Sequence, residues 1–144
     1  MRVYIDSSAA AKLMLREAES IELAELCNEP DTQLVATDLI ETELRRLAIR
    51  EGTPQTDVSD VLAGIDLYPI PRSSFHEAGL LDGRYLRSLD AMHLAGAIRL
   101  NTDAVLTYDT RMTEAATGFG LRVLAPGSAS QWRIDNVCRV DDCA

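Results

Sequence analysis

Short apolar runs alternate with segments of helical periodicity from the first residues to about residue 126, and that alternation leaves few folds open. "RVYI" (2–5) reads as a buried strand and Ser8–Arg16 as the helix after it. Ser20–Asn28, with apolar Ile21, Leu23, Ala24 and Leu26, predicts a second helix. "TQLVA" (32–36) is a strand, and Asp38–Arg50 is a helix stopped by Gly52. Thr53 as cap and Pro54 at the first helical position open a further helix. "LYPI" (67–70) is a short strand that Pro69 confines to a sheet edge or to half-regular structure. Ser74–Leu81 and Leu89–Leu100 are helices on either side of a turn at Asp82–Gly83. "AVLTY" (104–108) is a buried strand, Thr110–Thr117 a helix, and "LRVLAP" (121–126) the last strand. Strands separated by helices pair in parallel through right-handed crossovers. The expected fold is therefore α/β, a three-layer α/β/α sandwich around a central, mainly parallel sheet. One domain over 1–126 accounts for the pattern, and 127–144 is a polar C-terminal tail with no role assigned to it.

No apolar run approaches the ~20 residues of a membrane span, and Asp6 interrupts any signal-peptide pattern at once. A cytoplasmic protein with no membrane partner is the expectation. Cys27, Cys138 and Cys143 match no zinc spacing and read as reduced thiols, with a Cys138–Cys143 bridge as the alternative under oxidation. A net charge of −9 excludes a general nucleic-acid coater, which needs a basic face. It does not exclude an enzyme that meets phosphate through a bound cation.

Acidic residues carry the chemical signal. In open parallel sheets, ligands bind beyond the carboxyl ends of the strands. Asp6 follows "VYI" and Asp109 follows "VLTY", both at that end. Each also precedes a helix, so each is a candidate N-cap. Glu43 lies in mid-helix, one turn from Leu39 and one from Leu47, where a carboxylate needs a partner: an arginine or a metal. Glu41, one step off that face, reads as a solvated charge or as half of a capping box with Asp38. Asp90 shares a side of its helix with Leu94, Ala97 and Ile98 and sits near the N-terminus, where a cap and a site are both open readings. His93, one residue round, reads as a packed or hydrogen-bonded residue, and His76 as surface. Four carboxylates gathered within ~6 Å would repel one another unless a hard cation sat among them. Oxygen donors select Mg²⁺ or Mn²⁺ over zinc, and such ions activate water against phosphodiesters.

"YIDSSA", "TDLIETEL", "LRSLDAMHLAGAI" and "DAVLTYDTRMTEAA" with the closing "GLRVLAP" resemble, in order and spacing, the PIN-domain family. More narrowly they resemble the VapC-type ribonuclease toxins of toxin–antitoxin pairs. The resemblance runs to about Pro126 and implies a Mg²⁺-dependent endoribonuclease, with Mn²⁺ as a substitute. Asp6, Glu43, Asp90 and Asp109 fall on the family's acidic quartet. It implies Asp6, Asp90 and Asp109 as metal ligands, and Glu43 as the group that orients or deprotonates water. Ser8 and Thr107 fall on the hydroxyl positions that would steady the carboxylates; Ser7 stands where the family often has Thr. The implied partners are an RNA substrate, a cognate antitoxin and a second copy in a homodimer. Ile21, Leu23 and Leu26 are offered as an interface or as core. Arg45, Arg46, Arg50, Arg84 and Arg87 could grip phosphates or simply cover solvated faces. With four tyrosines, two phenylalanines and one tryptophan, no base-stacking platform can be argued. The alternatives are a phosphatase or phosphotransferase of another doubly wound fold, against which Ser8 stands where a second Asp is wanted, and a PIN-like binding module without catalysis.

Overall fold

The computed structural model describes residues 1–129. In chain order they form β1 (Arg2–Ile5), α1 (Ser7–Met14), α2 (Ser20–Cys27), β2 (Gln33–Thr37), α3 (Leu39–Glu51) and α4 (Gln55–Ala63). There follow β3 (Asp66–Tyr68), α5 (Arg72–Gly79), α6 (Ser88–Arg99), β4 (Ala104–Leu106), α7 (Thr110–Gly118) and β5 (Arg122–Leu124). The strands make one sheet in the order β3-β2-β1-β4-β5, and every neighbouring pair is parallel. The expected α/β sandwich is what the chain forms.

Period-two alternation along the strands builds the two cores. Val3, Ile5, Leu34, Ala36, Leu106 and Leu124 face one side, against Leu23 of α2, Ile40, Leu44 and Ala48 of α3, and Val58 and Leu62 of α4. Tyr4, Val35 and Val105 face the other, against Leu94 and Ala97 of α6 and Met112 and Ala116 of α7. The register sets Tyr4 beside both Val35 and Val105, so each face is continuous across the sheet. A slip of one residue would turn both cores inside out. Each fully buried aliphatic side chain contributes about 1.5–3 kcal/mol, so the register is strongly specified. α5 packs outside α6 through Ala78, Ala91 and Ala95.

The chain leaves β1 through β2 to the β3 edge, then returns to lay β4 on the opposite flank of β1. That reversal opens a crevice between the carboxyl ends of β1 and β4, where ligands bind in doubly wound sheets. Pro69 follows the last residue of β3, and β3 is an edge strand as expected.

Element ends differ from the sequence reading in ways the backbone explains. α5 starts at Arg72, not Ser74, because Pro71 (φ −70°, ψ 154°) takes the capping position and pre-sets the entry. Pro54, not Thr53, precedes α4, and no side chain caps that helix. β4 stops at Leu106, although the Thr107 N–H still donates to Leu124 O of β5 at 3.1 Å. Asp38 makes no capping bond, and Glu41 pairs with Arg45 at 2.8 Å. Leu23 is fully buried core and Leu26 packs against it, so of the three side chains offered as an interface only Ile21 is exposed. Among the described residues, exposed apolar side chains gather instead on and around α5 and α6: Phe75, Leu80, Leu89 and Ile98. Cys27 is a free thiol, pushed up to about 11 by burial. Cys138 and Cys143, with most of the tail, lie outside the described residues. No described helix is long and apolar enough to cross a membrane.

Candidate active site

Asp6 ends β1 at the crevice and is almost wholly buried. Its Oδ1 accepts from the Ala9 N–H at 3.0 Å, so it does cap α1, and from Ser8 Oγ at 2.6 Å. Its Oδ2 accepts a short hydrogen bond from Thr107 Oγ1. Ser8 Oγ in turn accepts from the Tyr108 N–H at 2.9 Å, tying the turn after β4 to α1. Burial raises the Asp6 carboxyl above the usual range; the bonds from Ser8, Thr107 and Ala9 and the charge of His93 pull against that.

Asp109 is likewise a helix cap at the carboxyl end of a strand. It stands at the mouth of the crevice and caps α7, its Oδ1 accepting from the Met112 N–H at 2.9 Å. Asp90 lies in the first turn of α6, half-buried, and makes no capping bond; among the described residues no donor reaches it. Its carboxyl is raised first by partial burial, then by the negative charges of Asp109 and Asp6, with His93 and Arg87 opposing.

Glu43 projects from the flank of the buried α3 stripe formed by Ile40, Leu44 and Ala48. Its partner is neither of the expected kinds. Oε1 meets His93 Nε2 at 2.5 Å, and Oε2 accepts from Ser7 Oγ at 2.8 Å. Burial would raise this carboxyl, but His93 and Ser7 more than offset it and hold it below its ordinary value. His93 is buried, and its Nδ1 lies 2.9 Å from the Tyr4 hydroxyl, which lies 3.3 Å from Thr37 Oγ1. The sequence marked His93 as a packed or hydrogen-bonded residue. Its contacts with Tyr4 and Glu43 are tertiary, and no local pattern announces them.

Four carboxylates thus come to one end of the sheet, but not as one tight knot: Asp6 and Asp109 are linked through Thr107, Glu43 belongs to a separate set with Ser7 and His93, and Asp90 stands outside both. Among the described residues, no three His, Cys, Asp or Glu side chains are gathered closely enough to hold a metal ion by themselves. The donor chemistry nevertheless fits a hard divalent cation. Mg²⁺ keeps most of its waters and needs only one or two carboxylates. Asp6 Oδ2 has one lone pair left after Thr107, and among the described residues no hydrogen bond reaches Asp90. The mutual repulsion of Asp90, Asp109 and Asp6 is what a cation would relieve.

A groove of about 680 Å³ adjoins Glu43 and is lined by Ser7, Ser8, Glu43, Arg46 and Arg50. A second, about 350 Å³, runs along α7, lined by Asp82, Arg84, Tyr85, Arg111, Glu114 and Phe119, and none of the four carboxylates is in its wall. Arg45 and Arg50 are drawn to Glu41 and Glu51, whereas Arg46, Arg84, Arg87 and Arg111 have no ion pair among the described residues. Tyr85 and Phe119 are exposed and line that second groove.

A family model for the PIN domain matches residues 3–118. Ribonuclease VapC35 of Mycobacterium tuberculosis (strain ATCC 25618 / H37Rv) is 38% identical over 134 residues, covering 88% of this chain and 98% of its own. Ribonuclease VapC46 of the same strain is 37% identical over 127 residues, covering 86% of this chain and 97% of its own. Among solved structures, Mycobacterium tuberculosis VapC20, described as a sarcin–ricin loop cleaving toxin, superposes with a TM-score of 0.65 at 15% identity, over 78% of this chain and 94% of that one. VapBC2 from Rickettsia felis, bound to a DNA fragment from its promoter, superposes with a TM-score of 0.66 at 12% identity, over 86% of this chain and 98% of that one. At those identities the superpositions speak for the fold.

Proposed function

The chain belongs to the PIN-domain family, among relatives that are VapC-type ribonucleases, and from that premise we propose that it is the endoribonuclease toxin of a toxin–antitoxin pair, hydrolysing RNA phosphodiester bonds with Mg²⁺ or Mn²⁺. The observation that carries this reading is the meeting of Asp6, Asp90 and Asp109 at the crevice between β1 and β4, where, besides partial burial, the charges of Asp109 and Asp6 raise the Asp90 carboxyl against His93 and Arg87.

Asp6 and Asp90 would hold the cation directly or through its waters, and Asp109 would complete the site or hold a second ion, Asp6 and Asp109 being pre-oriented by the capping bonds they already make. Ser8 and Thr107 fix the plane of the Asp6 carboxylate, and a carboxylate so fixed loses little freedom on binding. The bound cation supplies a lowered pKa for water and charge neutralisation at the phosphate. Glu43, kept ionised by His93 and Ser7, is the proton acceptor for the attacking water. Arg46, in the groove beside Glu43, and Arg111, in the first turn of α7 after Asp109, would receive the flanking phosphates. A phosphatase using Asp6 as nucleophile is disfavoured, because Ser8 stands where such an enzyme wants a second Asp.

An antitoxin would cover this acidic crevice with a basic segment, which the charge of −9 favours. The exposed side chains Phe75, Leu80, Leu89 and Ile98 support self-association through α5 and α6. RNA-end sequencing after controlled expression tests the central reading. Wild type gives discrete cleavage sites and Asp90→Asn gives none; identical sites in both would end it.

A further inference from the structure

The deepest polar feature of the molecule is a chain of hydrogen bonds that runs from the middle of the sheet to Glu43. Thr37 Oγ1 lies 3.3 Å from the Tyr4 hydroxyl, Tyr4 lies 2.9 Å from His93 Nδ1, and His93 Nε2 lies 2.5 Å from Glu43 Oε1. Three elements supply it: β2 gives Thr37, β1 gives Tyr4 and α6 gives His93, and α3 receives it at Glu43. Tyr4 is fully buried and His93 is 2% exposed. Buried polar groups at this depth could have been apolar at no cost to the core.

We propose that Tyr4 and His93 are positioning residues for Glu43, holding its carboxylate in one orientation for the reaction. This rests on the ribonuclease reading above. An ionised carboxylate can only accept, so His93 donates to Glu43 from Nε2, and its Nδ1 is left to pair with the Tyr4 hydroxyl, which pairs in turn with Thr37 Oγ1. Ser7 donates to the second oxygen of Glu43 at 2.8 Å. Both oxygens are thus held, and the plane of the carboxylate is set by two elements other than its own helix.

Gly96 shows that the close approach is built in. A Cβ there would stand 2.8 Å from Thr37 Cγ2 and 3.0 Å from the Tyr4 hydroxyl. Only a glycine lets α6 lie near enough to β1 and β2 for His93 to meet Tyr4. The ring of His93 stands edge-on to Tyr4, interplanar angle 71°, which directs Nδ1 at the hydroxyl.

The test is steady-state cleavage of one RNA fragment by Tyr4→Phe, His93→Gln and His93→Leu, with Asp90→Asn as the inactive control. Partners of this kind typically change activity by about 10–100-fold. Tyr4→Phe keeps the ring and removes only the hydroxyl; kcat falls about 10-fold, with KM and the thermal midpoint near wild type. His93→Leu loses about 100-fold in kcat, and His93→Gln, whose amide N–H replaces the Nε2 donor, recovers part of that loss. Wild-type kcat in both Tyr4→Phe and His93→Gln would overturn the proposal, as would a rise in KM alone. Should His93→Leu fail to fold, Tyr4→Phe and His93→Gln decide. Failure of the ribonuclease reading looks different: wild type and Asp90→Asn are then alike. In that case the imidazole ¹⁵N shifts judge the chain of bonds. A ring protonated at Nε2 that changes on Glu43→Gln upholds it, and a ring indifferent to Glu43 refutes it.

Discussion

Asp90 is held where its charge is unwelcome. Partial burial and the charges of Asp109 and Asp6 raise its carboxyl, and the opposing charges of His93 and Arg87 do not cancel them. Since the folded chain binds that proton more tightly than the unfolded chain does, stability falls as pH rises through the raised value and returns as pH drops below it. Asp90→Asn removes the penalty. In metal-free buffer at neutral pH the variant should melt about 1–2 °C higher than wild type, a small gain because the group is half-exposed and screened. The gap should close at acid pH, where Asp90 is protonated anyway, and reverse with added Mg²⁺, which stabilises only a chain able to bind it. Scanning calorimetry at two pH values, with and without Mg²⁺, checks all three; a variant no more stable than wild type without metal would show that the charges are already compensated. Position along the chain was enough to nominate Asp6, Asp90 and Asp109, because each falls just after a strand or at the head of a helix. It could not choose between cap and site for Asp6 and Asp109, since the same βα turn serves both, and the structure assigns the capping bond to each. Glu43 could be seen to need a partner, but not which one, because His93 is 50 residues away.

The elements themselves were readable because each strand face has one apolar period and each helix has a start or stop signal. Gly52, at φ 69°, closes α3 in the left-handed conformation that only glycine adopts cheaply. Gly96 is the opposite kind of glycine. Its backbone is ordinary helix, its reason is a neighbour on another element, and nothing in "HLAGAI" reveals it. The two predict different outcomes. Gly52→Ala meets open space and costs about 1 kcal/mol in backbone strain, with cleavage unchanged. Gly96→Ala forces α6 off the sheet at Thr37 and Tyr4 and costs about 1–3 kcal/mol, as overpacking does. It should also reduce cleavage, since the same shift carries His93 from Glu43. Urea unfolding alongside a cleavage assay separates them, and a Gly96→Ala protein with wild-type stability would mean the sheet yields without cost. Helix ends were read less well, as at Pro71 and Pro54, because a proline marks an entry without saying which side of it the helix begins.

For the molecule as a whole, the difficulty is charge. A chain at −9 must bring a polyanion to a site made of carboxylates. The global field repels RNA, so attraction must come from few and local cations. Arg46, Arg84, Arg87 and Arg111 have no ion pair among the described residues, while Arg99 is paired with Glu77 at 2.9 Å. Arg99 also ends α6, a helix of 12 residues, so it lies about 18 Å along that helix from the end bearing Asp90. On single strands each neutralised phosphate adds about −0.7 to the slope of log K against log salt. Four contacts give a slope of roughly −3, shallow for a nucleic-acid protein but steep for an acidic one. Binding of RNA by the cleavage-deficient Asp90→Asn protein, measured across NaCl concentrations at fixed Mg²⁺, should show it. Arg46→Ala and Arg111→Ala in that background should each flatten the slope by about 0.7, because each removes one phosphate contact. Arg99→Ala should leave it unchanged, being committed elsewhere and at the wrong end of the helix. Equal effects from all three would mean that the protein senses RNA only through its net charge, and Arg46 and Arg111 would then have no particular part in holding the substrate.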